Sequence, residues 1–408
     1  MYMEKLTNVI EIKNKSIRVL IGYLIENKLK AVYAKKFKLS VPLNDADVLD
    51  VGSITLDLEK IKNINDQDLN FKYTIRNAIL VLPSFGLEVY NASKTTNVVN
   101  YDRGINEIDV RNVVSLFENE SISPMIQIVN VIPNSFSIDN GESFSKSPLG
   151  VKTRKLTLDA YVYTLPFKMV DDLSRAMLNA NIKIDNILIS SVSSSNYLKN
   201  INFKYNTYIL IDIGSKNTFV TVIKNSIVQV STFFDLGGDT LTKNIANELN
   251  ISFEDADKLK IIYGLDNSAN TFNAPICKSI KDGTYVKYTK IDINKVVNNF
   301  LHEFNDYLLN SIKNLLKDNQ EFISRIPLIF KGSTIKLNGF KESVSKNFYT
   351  NTLEFNVSEN VVGAPFIQYG DLLGAIYLDK ELESNYKDVS QTLVNDNVTS
   401  SLRREGDN

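Results

Sequence analysis

The sequence predicts an α/β protein made of two duplicated halves, and three observations carry that expectation. A three-stranded meander occurs twice, each copy opening on an apolar strand that ends in a carboxylate. Amphipathic helices follow the strands in an order that calls for mixed layers of sheet and helix. A length of 408 residues with 43% apolar side chains also exceeds what one hydrophobic core usually organises.

The first meander begins with Val9-Ile10-Glu11-Ile12, turns at Lys13 to Ser16, and continues as Ile17 to Ile25 and, after Glu26-Asn27, Lys28 to Lys38. About half a chain later Tyr208 to Ile213 leads through Gly214-Ser215-Lys216-Asn217 into Thr218 to Ile223. Lys224-Asn225-Ser226 then turns the chain into Ile227 to Phe234. Glu11 and Asp212 hold the same place in the two copies, and so long a period marks a duplicated domain rather than a solenoid. Two such halves, each offering a hairpin turn and an acid, are expected to form a cleft for a nucleotide phosphate chain and its magnesium.

Helix signals follow. Gly237-Gly238-Asp239 precedes Leu241, Ile245 and Leu249, with Asp239 as the expected cap. Ser252 to Asp255 is a capping box with Asp in place of Glu, opening a helix through Ala256, Leu259 and Ile262. Asp292 is expected to cap a long helix whose stripe is Val296, Val297, Phe300, Phe304, Leu308, Ile312 and Leu315. Between Pro83 and Pro166 the strands Ile128 to Ile132 and Thr157 to Tyr163 and a helix over Asp109 to Phe117 predict an inserted α+β subdomain. The polar, aperiodic Asp379 to Asn408 is expected to be a flexible tail. The expected boundaries are 1–83 and 167–200 for the first core, 84–166 for the insertion, 201–235 and 321–378 for the second core with a closing helix, 236–320 for an outer subdomain, and 379–408 for the tail.

Composition excludes several functions. With 46 Lys and Arg against 47 Asp and Glu the net charge is −1, and no basic block is dense enough to neutralise a run of phosphates, so no nucleic-acid partner is expected. One cysteine, Cys277, and one histidine, His302, leave neither an intrachain disulfide nor a zinc cluster, which fits a reducing cytoplasmic compartment. Cys277 reads as a small buried or loop side chain and His302 as a boundary residue of the long helix, since the residues after it do not complete His-Glu-x-x-His. The N-terminus lacks the pattern of a signal peptide, and the stretch Val19 to Ile25, broken by Gly22, is far short of the roughly 20 residues that span a bilayer.

The same residues carry a family resemblance. Leu210 to Thr218 is similar to the second phosphate loop of actin-fold ATPases. Gly237-Gly238-Asp239 with Thr242 and Ile245 is similar to the segment that follows that loop. Asp257 and Lys260 resemble an acid-and-lysine pair that borders ribose and adenine; Leu328 to Thr334 with Leu337 to Gly339 resembles an adenosine motif, and Gly370 to Leu378 a closing helix. Within the insertion, Asn130-Val131-Ile132-Pro133, Asp139, Ser147-Pro148-Leu149-Gly150 and Leu156 resemble a pattern of the bacterial division protein FtsA that actin, Hsp70 and MreB lack. On these motifs the chain is identified as a member of the FtsA family over nearly all of residues 1–378. It departs from the family at the first phosphate loop, where Lys13-Asn14 replaces Gly-Thr, and in the adenosine motif, where Lys331 replaces the first Gly.

The resemblance implies an actin-like fold, with two ribonuclease-H-like lobes around a nucleotide cleft and an FtsA-type subdomain inserted in the first lobe. It implies ATP as ligand, contacted by Asn14, Lys15, Ser16, Gly214, Ser215, Lys216, Asn217, Gly237, Gly238, Asp257, Lys260, Gly332 and Ser333, with Mg held through water by Glu11 and Asp212. From its spacing alone, Lys260 reads equally as a solvated charge on the outer helix face. The implied function is a cell-division adaptor, at most a weak ATPase, that polymerises head-to-tail and links the FtsZ ring to the membrane or to other division proteins. Lys295, Phe300 and Glu303 would meet the FtsZ C-terminal tail. Its place would be the cytoplasmic face of the cell membrane at the division site. Membrane contact would be indirect or weak, because residues 395–408 carry only Val398 and Leu402 as large apolar side chains. Alternatives are a PilM-like pilus-assembly protein that binds an inner-membrane partner peptide, and a sugar-kinase-like enzyme of the same superfamily.

Overall fold

The first meander forms where its alternation places it. In a computed structural model that describes residues 6–26, 28–43, 50–67, 70–120, 122–265, 274–281, 283–316, 325–348, 350–356 and 369–385, it consists of β1 (Thr7–Lys13), β2 (Ser16–Ile25) and β3 (Lys28–Lys38). The chain continues through α1 (Val51–Lys62), β4 (Asn63–Asp66), β5 (Phe71–Thr74), β6 (Asn77–Leu82), β7 (Glu88–Asn97), α2 (Glu107–Glu118), β8 (Ile126–Ile138), β9 (Ser143–Phe144), β10 (Lys155–Pro166), α3 (Phe167–Asn179), β11 (Lys183–Ile189) and α4 (Ser190–Asn200). The second half holds β12 (Thr207–Ile213), β13 (Thr218–Lys224), β14 (Ile227–Phe234), α5 (Gly238–Leu249), α6 (Phe253–Tyr263), β15 (Cys277–Lys281), β16 (Thr284–Tyr288), α7 (Lys290–Leu316), β17 (Leu328–Lys331), α8 (Phe340–Asn347), β18 (Thr352–Glu354) and α9 (Gly370–Asn385).

Two five-stranded sheets share one wiring. The first runs β11-β6-β1-β2-β3 and the second β18-β17-β12-β13-β14. In each, the opening strand pairs antiparallel with its meander neighbour and parallel with a later strand, β6 or β17. Val9, Ile10 and Ile12 are fully buried, as a central strand covered on both faces requires. Register decides what lies beside each strand-end acid. Glu11 stands opposite Arg18 and beside Val81, whereas Asp212 stands opposite Phe219 and beside Lys331.

By internal packing the chain divides into two compact units. The first comprises the described residues of Met1–Phe203, Ser226–Gln229 and Val357–Asn408, the second those of Lys204–Asn225 and Val230–Asn356. The insertion belongs to the first unit as an antiparallel sheet in the order β7-β10-β8-β9. Its helix α2 carries a reciprocal cap, in which Asn106 accepts from the Ile108 and Asp109 backbone N–H groups while Asp109 accepts from Asn106.

The second unit is built on α7. Its buried Ile293, Val296, Val297, Phe300, Phe304, Leu308 and Ile312 recur at helical spacing, and Phe304 packs edge-on against Phe234 and Phe340 at 5.6 and 5.5 Å.

Four expectations are corrected. The closing helix α9, assigned from sequence to the second half, packs against α4 in the first unit. It also continues past Leu378 to Asn385, so the start of the supposed tail is helical; residues 386–408 lie outside the described residues. The cap of α5 is Gly237 and not Asp239, which sits in the first turn. Asp292 likewise lies inside the first turn of α7, where its carboxylate accepts from the Thr289 N–H at 2.7 Å.

Candidate functional site

Four segments of the second unit converge at the ends of β12 and β17. The hairpin after β12 closes when the Gly214 N–H donates to the Asn217 carbonyl at 2.9 Å, and the Asn217 side-chain amide donates to Asp235. The start of α5 is fastened to this hairpin. The Gly238 and Asp239 N–H groups donate to the Gly214 and Ser215 carbonyls at 3.1 and 2.7 Å. A Cβ at Gly237 would lie 2.5 Å from the Ser215 carbonyl oxygen, so only glycine allows the approach. Because these first-turn amides are engaged by the hairpin, any contact to a ligand here would fall to the hairpin itself and to the side chains around it.

The third and fourth segments are the Lys260 side chain and the turn after β17. Lys260 Nζ donates to the Gly238 carbonyl at 3.2 Å, Thr242 Oγ1 at 2.8 Å and Asp257 Oδ1 at 2.6 Å. Its orientation is thereby settled: it points inward to the start of α5 and is not a solvated outer-face charge. Gly332 has φ +114° and ψ 166°, a region open essentially to glycine, and folds the chain directly over Ile213. A Cβ on Gly238 would meet Thr334 Oγ1 at 3.0 Å and stand 3.9 Å from Lys260 Nζ, so that position faces both segments. The structure thus gathers Gly214, Ser215, Asn217, Gly237, Gly238, Asp257, Lys260 and Gly332, and adds Thr242 and Thr334, which the sequence motifs contain but which were not among the expected contacts. Lys216 belongs to the same hairpin, and Ser333 opens the short helical turn Ser333–Lys336.

The acid of this site carries a cation. Asp212 Oδ2 is 3.0 Å from Lys331 Nζ, whose side chain is 3% exposed and lies over the Phe355 ring at 5.9 Å from its centroid.

The first unit has a denser version. Glu11, fully buried, pairs with Arg18 and, at 3.1 Å, with Lys13. Lys13 and Arg18 also reach Asp371, at 3.2 and 3.5 Å respectively, while Ser190 and Ser194 hydroxyls donate to it at 3.0 and 2.9 Å. Burial pushes the Glu11 carboxyl up to about 7 against the pull of Arg18 and Lys13, and Asp371 adds to the rise. Burial and the charges of Arg18 and Lys13 depress Lys36. The hairpin Asn14-Lys15-Ser16 is tied to the segment after β3, its Asn14 and Lys15 carbonyls accepting from the Leu43 and Leu39 N–H groups. Asp371 was legible as a lone acid in the apolar run Leu372, Leu373, Ala375, Ile376; Arg18 was legible from the tight hairpin that sets it opposite Glu11.

These ion pairs bear on the expected magnesium. Two like unit charges about 4 Å apart repel by roughly 4 kcal/mol at an effective dielectric of 20, and a divalent ion doubles the charge involved. A metal at Asp212 or Glu11 would have to sit beside a buried cation or leave it buried without that partner. The expectation of Mg held through water by Glu11 and Asp212 therefore does not fit these carboxylates, each of which already faces a cation. Among the described residues no group of three or more His, Cys, Asp and Glu side chains is placed to hold a metal ion.

On α7, Lys295 and Glu303 are exposed, but Phe300 is 1% exposed with its ring 6.1 Å from that of Phe304. It is a core residue and presents no surface to a partner, which corrects the sequence expectation.

Comparison with known proteins places this geometry. Residues 209–365 match the family model "Cell division protein FtsA", and residues 86–164 match "SHS2 domain inserted in FTSA". FtsA of Enterococcus hirae is 26% identical over 255 residues, 62% of this chain and 57% of that protein. The match thus spans a little over half the relative's length. FtsA of Buchnera aphidicola subsp. Baizongia pistaciae is 21% identical over 351 residues, covering 85% and 82% of the two chains. Among solved structures, the PilM-PilN type IV pilus biogenesis complex aligns with TM-score 0.58 at 13% identity, covering 94% of this chain and 99% of the other. MreB5 of Spiroplasma citri bound to AMPPNP aligns with TM-score 0.52 at 13% identity over 94% and 98%. At such identities these structures establish the actin-like fold and nothing finer.

Proposed function

Because this chain belongs to the FtsA family, we propose that it is a cell-division adaptor that binds ATP on its second unit and recruits the FtsZ ring through the FtsZ C-terminal tail. The observation that carries the reading is the FtsA-type insertion matched over 86–164 in the same chain as the FtsA model over 209–365. The hairpin Gly214 to Asn217, Gly238, Lys260 and the Gly332 turn support a site for a phosphate chain, since hairpin amides and lysines are what such a chain needs. ATP would act chiefly as a conformational ligand: a nucleotide bound by one state shifts the population by its differential affinity. At most weak hydrolysis is expected, as no side chain in the gathered set stands out as a base for water.

The FtsZ tail would dock on the outer part of the second unit, at the exposed Lys295 and Glu303 of α7. Head-to-tail self-association and contact with other division proteins at the cytoplasmic face of the membrane complete the reading. No described helix is long and apolar enough to cross a membrane; on this reading attachment runs through partners or weak surface contact. The PilM-like alternative rests on fold likeness alone.

Immobilised full chain is expected to retain purified FtsZ, with retention falling at least about tenfold when the last residues of FtsZ are removed. The charge reversals Lys295→Glu and Glu303→Lys together should weaken it in the same direction. Equal retention of intact and truncated FtsZ would contradict the proposal.

A further inference from the structure

We infer that this chain binds its nucleotide without a divalent cation at Asp212, because Lys331 already holds that carboxylate. The inference rests on the ATP reading above and goes beyond it by naming the ionic requirement of the site.

Register provides the first observation. Lys331 is the last residue of β17 and lies in parallel register beside Asp212, near the end of β12. Its ammonium is 3.0 Å from the carboxylate and its stem is buried, over the Phe355 ring. The next residue, Gly332, turns the chain over Ile213, so the ammonium is anchored at the mouth of the converging loops rather than on a mobile surface stem.

The duplicated half provides an independent observation. Glu11, which holds the matching position, is also neutralised, but by Arg18 from the antiparallel neighbour and by Lys13 from its own strand. Where the first unit has Arg18 the second has Phe219, and where the second has Lys331 the first has Val81. Each acid is paired with a cation, but by different residues from different strands. A shared requirement explains that better than the inheritance of one ion pair. In each half a lysine, Lys13 or Lys331, reaches the strand-end acid, at 3.1 and 3.0 Å. The phosphate chain is then met by hairpin amides and by lysines of the fold, with the carboxylate silenced instead of bridged.

The test is an ATP titration of the full chain in excess Mg and in EDTA, run with wild type, Lys331→Gly and Lys331→Met, together with a Mn2+ titration followed by paramagnetic resonance. Wild-type affinity is expected to agree within about threefold in the two buffers, and wild type should show no tight Mn2+ site. Removing the ammonium should expose Asp212, so that both variants gain Mn2+ binding and bind ATP at least about tenfold more tightly with Mg than without. The methionine variant keeps the buried stem and serves if glycine unfolds β17. Wild-type binding only in Mg overturns the inference while leaving the ATP site standing. Variants that bind ATP independently of Mg, or gain no Mn2+ site, overturn the role given to Lys331. No binding in either buffer overturns the ATP reading and this inference with it.

Discussion

Replacing Gly374 by leucine is expected to destabilise the first unit by at least about 3 kcal/mol, which for a unit of this size lowers the melting temperature by roughly 10 °C. A Cβ at this position would lie 1.8 Å from the Ser193 carbonyl oxygen, 2.6 Å from its carbon and 3.0 Å from the Tyr197 Cβ. The first two are backbone atoms of α4 and cannot swing aside as a side-chain tip would. The partner helix is shaped for the same close crossing: Ser190, Ser191, Ser193, Ser194 and Ser195 are all buried, a run of small side chains that lets the α9 backbone approach. The damage would spread, since α9 also delivers Asp371 to the Glu11, Lys13 and Arg18 cluster. Gly52→Ala is the control, because its Cβ would meet only Asp50 Oδ1 at 3.4 Å in an exposed helix start. That variant should melt at or slightly above wild type. Equal melting of Gly374→Leu and wild type would show that α4 and α9 do not pack as described.

Gly332→Val should be nearly as severe in the second unit. Its backbone lies in a region that costs non-glycine residues on the order of 1–3 kcal/mol, and a Cβ would stand 2.2 Å from the Ile213 carbonyl oxygen and 3.0 Å from its carbon. Strain and clash act together, so a loss of at least about 3 kcal/mol is expected from thermal unfolding. The substitution also pries the end of β17 from the end of β12, and with it Lys331 from Asp212 and Thr334 from the start of α5. ATP affinity should therefore fall together with stability. A variant that melts as wild type does would mean that the turn does not close over Ile213.

How much of this was legible depends on how far each feature reaches along the chain. Both meanders were readable because a strand pair with a short turn is a local object, and the hairpin at Lys13 to Ser16 even fixed Arg18 opposite Glu11. The stripe on α7 was equally local, and it already contained the correction to Phe300: a residue in line with Val296, Val297 and Phe304 is committed to the core and cannot also face a partner. The inserted subdomain announced itself by a change of texture and by motifs in order. Chain order failed where packing leaves the neighbourhood. α9 follows the second unit in sequence, yet packs in the first, because Gly374 and the serines of α4 offer a backbone-to-backbone contact that no periodicity reveals. The Lys331 pair was hidden for the same reason. The substitution was visible, but its meaning required the parallel register of two strands separated by most of the second unit. Lys260 lay between these cases, and only the fold decided that it turns toward Gly238.

The loops gathered around Gly238 are proposed to hold a nucleotide. Nucleotide binding there is tested most directly by calorimetric titration of ATP into the full chain, wild type and Gly238→Val, with circular dichroism to confirm that both are folded. Wild type should show one saturable site, and the variant, whose added branches enter the space facing Thr334 and Lys260, should bind at least about tenfold more weakly. A folded wild-type chain that takes up no ATP, or a variant that binds it as tightly as wild type, would contradict the account.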